Sequence, residues 1–75
     1  MSENPLKNKI KVYRAMHDWT QEELARRVNV TRKTINTVEN RKFIPSAYLA
    51  LKIAKVFGVS VEDVFQIDDE ISEKD

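Results

Sequence analysis

The stretch Thr20–Asn40, "TQEELARRVNVTRKTINTVEN", decides the fold. It reads as two short helices with almost nothing between them. Thr20 is placed to cap the first, Glu23 to reach back and complete a capping box, and Trp19 and Leu24 to flank the cap as an apolar staple. Val30, Thr31 and Ile35 repeat the staple at the start of the second helix. At about 100° per residue, Leu24, Ala25 and Val28 fall on one side of the first helix and Ile35 and Val38 on one side of the second. Val30 plugs the turn. Ala25 faces the approaching helix, where a larger side chain would force the pair apart. A connection this short sets the helices at a steep angle, a helix-turn-helix rather than a parallel hairpin.

With Ile35 and Val38 turned inward, Arg32, Lys33, Asn36 and Thr37 point outward, and no carboxylate occurs on this face before Glu39. Arg and Lys donate to guanine, Asn pairs with adenine, and Thr offers a hydroxyl and a methyl, so the face suits base edges. A polyanion would attract it. Polar faces on surface helices are ordinarily just solvated. The register of small residue, turn and apolar positions across the whole stretch is what favours the binding reading.

The rest of the chain supports a helical domain. Glycine occurs once, at Gly58, proline only at Pro5 and Pro45, and no stretch alternates apolar and polar residues long enough to suggest a sheet. A first helix is expected over about Leu6 to His17, with Leu6, Ile10 and Tyr13 at helical spacing. Pro45 disfavours helix at Ile44, and Ser46 caps a fourth helix that buries Leu49, Ala50, Ile53, Ala54 and Phe57. Gly58 ends it. Ser60 and Asp63, with Val59 and Val64, open a short fifth helix from Val61 to about Phe65. The expected architecture is all-α: one compact five-helix domain over residues 1–66 and an acidic tail over 67–75.

Composition narrows the function. The chain has 75 residues, 41% of them apolar and 33% charged, which makes a single small domain with a modest core. Its net charge of +1 hides an asymmetry, because residues 1–45 carry ten Lys/Arg against five Asp/Glu and residues 46–75 three against seven. One surface is thereby suited to a polyanion. There is no cysteine, and no apolar run approaches the roughly 18 residues of a membrane span, which suits a soluble protein of the cytoplasm with no membrane partner. Catalysis is not expected. His17 is the only histidine and has no nucleophile at a recognisable spacing, and one glycine cannot build a phosphate loop. Glu62 and Asp63 read as capping and solubilising groups, so neither cofactor nor metal is expected.

"TQEELARRVNVTRKTINTVENRK", with "PSAYLALKIAKVFGVSVEDVF" after it, resembles the XRE family, the lambda and Cro repressor type of helix-turn-helix protein. The likeness runs from about Lys9 to Phe65. It implies a lambda-repressor-like DNA-binding fold and assigns roles to matching residues. Thr31, Arg32, Lys33 and Thr37 would face the bases, with Asn36 beside them. Gln21 would contact phosphate and brace the recognition helix, while Asn40, Arg41 and Lys42 would hold backbone phosphate. Arg14 and Glu39 are similar to a structural ion pair of the family.

The departures from the family pattern are specific. Asn29 stands in the turn where glycine is usual, and Asp18 and Arg41 also occupy positions where glycine is common. Asn tolerates a left-handed backbone; at Arg41 that backbone would carry the side chain away from phosphate. Val12 and Met16, often charged in relatives, are expected to widen the core stripe, the alternative being an exposed apolar patch. Ala47 offers no basic arm for the minor groove. The expectation is a transcriptional regulator, a repressor, bound to double-stranded DNA as a homodimer on a palindromic operator, with Phe65, Ile67 and Ile71 beside the fifth helix at its interface. An antitoxin-like or coactivator-like protein-interaction module is the alternative.

Overall fold

The computed structural model describes residues 4–69. Its elements, in chain order, are β1 (Leu6–Asn8), α1 (Ile10–His17), α2 (Gln21–Arg27), α3 (Arg32–Glu39), α4 (Ala47–Phe57), α5 (Val61–Val64) and β2 (Phe65–Ile67). Five helices enclose the core, and a two-stranded antiparallel ribbon, pairing Leu6 with Ile67, Lys7 with Gln66 and Asn8 with Phe65, joins the ends of the described chain.

Local chemistry fixes the helix boundaries. Thr20 Oγ1 accepts from Glu23 N–H at 3.0 Å, Thr31 Oγ1 from Thr34 N–H at 3.3 Å, and Ser46 Oγ from Leu49 N–H at 3.1 Å. Each hydroxyl satisfies an amide that the first helical turn leaves unpaired. The Asp63 carboxylate accepts from Ser60 N–H at 3.2 Å, closing the expected box at α5. Glu23 does not close its own, because Arg26 and Arg27 take up its carboxylate, the latter at 2.7 Å. Gly58 ends α4 with φ +78°. The three non-glycine residues with positive φ among those described are Asp18, Asn29 and Arg41, the positions singled out as departures from a glycine pattern.

Two expectations about the termini are corrected. Helix α1 starts at Ile10, not Leu6, because Asn8 Oδ1 accepts from Ile10 N–H at 3.1 Å and Lys9 N–H donates to Val64 O at 2.8 Å, which turns the chain out of the ribbon. Phe65 leaves α5 with extended backbone, φ −119°, and enters β2. Leu6 still packs on the core, from a strand.

The core comprises Ile10, Leu24, Ala25, Val28, Ile35, Val38, Leu49, Ile53, Ala54, Phe57, Val64 and Phe65. Ala50 is only half-buried at its edge. Beside it, Phe57 stacks with Tyr13 at 5.4 Å and with Trp19 at 5.7 Å between centroids, while Arg27 lies 4.2 Å over the Trp19 ring. His17 completes this cluster, its Nδ1 3.0 Å from Tyr13 O. Val12 and Met16 do not widen the core. Ile10, Tyr13 and Arg14 occupy the inward side of α1, which leaves Val12 and Met16 on the opposite side, the latter 70% exposed. No helix among the described residues is long and apolar enough to cross a membrane.

Candidate nucleic-acid interface

Helix α3 is anchored by burial. Ile35 is fully buried and Val38 nearly so, against Leu24, Ala25 and Val28 of the preceding helix and turn. The turn closes through Val30 N–H to Ala25 O at 2.9 Å, with Asn29 in the left-handed conformation at φ 62°. Ala25 is 2% exposed, in keeping with a contact that admits only a small side chain.

The outward side of α3 carries the residues singled out in the sequence. Arg32 and Lys33 are exposed and, among the described residues, make no hydrogen bond or ion pair with the protein. Asn36 and Thr37 are half-buried, with Thr37 Oγ1 donating to Thr34 O at 3.0 Å. Thr31 is exposed and serves as the cap of α3. Asn40 Nδ2 donates to Asn36 O at 3.0 Å and also meets Asn36 Oδ1, so its amide lies along the helix.

Glu39, the one acid on α3, is withdrawn from this surface. Its side chain is 4% exposed and accepts from Arg14 Nε at 2.6 Å, Arg14 Nη2 at 3.3 Å and Gln21 Nε2 at 3.0 Å. Arg14 Nη1 also donates to Trp19 O at 2.9 Å, tying α1 to the start of α2 and the end of α3. Gln21 therefore braces α3 through Glu39, with its amide nitrogen already engaged.

The segment after α3 splits into two behaviours. Lys42 is exposed, its backbone N–H held by Thr37 O at 2.9 Å. Arg41 instead folds back. Its Nη2 donates to Asn4 O at 2.6 Å and to Asp68 Oδ2 at 3.1 Å, and its Nε to Asn4 O at 3.1 Å. The guanidinium expected at phosphate thus lies against residues that flank the terminal ribbon, held there by Asn4 and Asp68.

Sequence reasoning missed the residues that hold the far end of α3. Asn8 Nδ2 donates to Val38 O at 3.0 Å, beside the bond that carbonyl takes from Arg41 N–H, and Asn4 Nδ2 donates to Arg41 O at 2.9 Å, just past the C-cap. No signal in the sequence marks two asparagines thirty or more residues away as its ties. It missed, too, the exposed side chains of Phe43, Ile44, Tyr48 and Leu51, which follow the basic segment.

The arrangement presents two exposed cations that have no partner among the described residues, with amides and hydroxyls, on a helix seated by burial, and the nearby carboxylate paired behind it. The helix-turn-helix family profile matches residues 10–64. The chain belongs to the XRE-type helix-turn-helix family. Among its relatives, an uncharacterized HTH-type transcriptional regulator of Methanocaldococcus jannaschii is 52% identical over 65 residues, covering 87% of this chain and 98% of the relative. The HTH-type transcriptional regulator YgzD of Bacillus subtilis, also uncharacterized, is 45% identical with the same coverage of both. Among solved structures, a Bacteroides fragilis protein superposes with a TM-score of 0.73 at 26% identity, over 81% of this chain and 98% of that one. The clp gene regulator ClgR of Corynebacterium glutamicum gives 0.68 at 26% identity, over 72% of this chain and 57% of its own. This XRE-type family is one of non-enzymatic DNA-binding regulators.

Proposed function

We propose that the chain is a sequence-specific DNA-binding transcriptional regulator, a repressor that inserts α3 into the major groove and acts as a homodimer on a palindromic operator. The observation that carries the reading is the pairing of exposed Arg32 and Lys33, without a partner among the described residues, with a Glu39 carboxylate sequestered by Arg14 and Gln21. A free carboxylate at that place would repel the duplex; its neutralisation leaves the face cationic. Arg32 and Lys33 donate to guanine O6 and N7, Asn36 and Thr37 read the neighbouring positions, and Thr31 lies at the helix entrance. Lys42 contacts phosphate and fixes register, with Asn40 and Gln21 beside the backbone. Two-fold symmetry sets two copies of α3 about 34 Å apart, in successive major grooves.

For the dimer, Phe65 contributes little, being 7% exposed within its own core. Ile67 is exposed at the edge of the fold, whereas Ile71 lies outside the described residues. A second reading, a protein-interaction module, draws on the exposed Val12 and Met16 on α1. Selection of bound sequences from a random DNA pool separates the two. The regulator yields a conserved motif with two inverted halves, while recovery of no motif contradicts it.

A further inference from the structure

We infer that Arg41 is a positioning residue, a latch through which the terminal ribbon holds the end of the recognition helix, and that Asp68 and Asn4 are its working partners. This rests on the DNA-binding reading of α3. Four hydrogen bonds converge on residue 41 from the N-terminal side: Asn4 N–H at 3.2 Å and Asn4 Nδ2 at 2.9 Å donate to Arg41 O, and the Arg41 Nε and Nη2 donate to Asn4 O. Asp68 closes the node from the C-terminal side at 3.1 Å, and its own N–H donates to Pro5 O at 2.7 Å. The Arg41 and Asp68 side chains are 17% and 19% exposed, so neither is an idle surface charge.

Position explains the consequence. Arg41 stands between Asn40, the C-cap of α3, and the exposed Lys42, so whatever fixes residue 41 fixes the orientation of both. Asn8 adds a second tie from the same ribbon, onto Val38 O. An arginine in a left-handed backbone is unfavourable unless surrounding bonds compensate, and here the side chain supplies them. The ribbon therefore does more than close the fold. It sets the phosphate-facing segment, and loosening either strand loosens the DNA-binding end of α3.

Arg41→Gly and Asp68→Asn test this. Glycine removes the guanidinium while relieving the left-handed backbone, so the domain stays folded. Without DNA, both variants should speed hydrogen exchange at the Asn4 and Asp68 amides by roughly tenfold, the scale of a lost charged hydrogen bond, and leave the Ile35 and Val38 amides protected. On DNA, both should weaken binding to all duplexes with an unchanged salt slope, and the double variant should be no weaker than the more affected single one. Unaltered exchange at Asn4 and Asp68 overturns the latch whatever the DNA data say. A salt slope reduced by about one unit in Arg41→Gly, or tighter binding in Asp68→Asn, overturns the positioning role and restores Arg41 as a phosphate contact.

Discussion

Single side chains divide the work at the proposed DNA face between reaching outward and holding still. Lys42 reaches out. Replacing it with alanine is expected to weaken specific and random duplexes alike and to lower the salt slope by about one unit, measured by titration across salt concentrations. Arg14 holds still, as the main partner of a carboxylate that is 4% exposed. Arg14→Ala leaves Glu39 with Gln21 alone, an almost buried charge poorly compensated, and should destabilise the domain by about 3 kcal/mol in denaturant unfolding. Its effect on DNA should follow from that loss of fold. The sequence made Arg32 and Lys33 legible as outward residues because helical period alone sets their direction. It did not reveal where Arg41 goes, since that depends on Asn4 and Asp68, which only the closed fold brings near.

At the scale of elements, the helix starts are written in local chemistry, and hydroxyls at Thr20, Thr31 and Ser46 cap α2, α3 and α4 as their spacing implies. Ends are equally local at Gly58. A Cβ there meets nothing within 4 Å, so Gly58→Ala carries a conformational cost and no clash. At φ +78° that cost should be about 1 kcal/mol, read as a lowered melting temperature with the fold retained. The terminal ribbon was not legible, for a physical reason. Each strand is three residues long, too short to display alternation, and its partner comes from the other end of the chain. Leu6, spaced one turn before Ile10, imitates a helix start, and the bonds from Ile10 N–H to Asn8 Oδ1 and from Lys9 N–H to Val64 O move that start four residues on.

At the scale of the molecule, the basic excess of residues 1–45 includes the exposed Arg32, Lys33 and Lys42, whereas the acids of α5 belong to the acidic part of the sequence. Homodimerisation is the claim that this scale must test. Sedimentation of the protein with a full palindrome should give two chains per duplex, and one chain on a half-site at micromolar concentration would refute the two-fold argument. The central claim is that α3 reads bases. Its most direct test is to titrate the native protein and Arg32→Ala against a selected operator and a scrambled duplex at one salt concentration. The account predicts that the variant loses about 1 to 3 kcal/mol on the operator, keeps most of its affinity for the scrambled duplex, and accepts substitution at one base pair. An equal loss on both duplexes, with preference at every base pair intact, would contradict it.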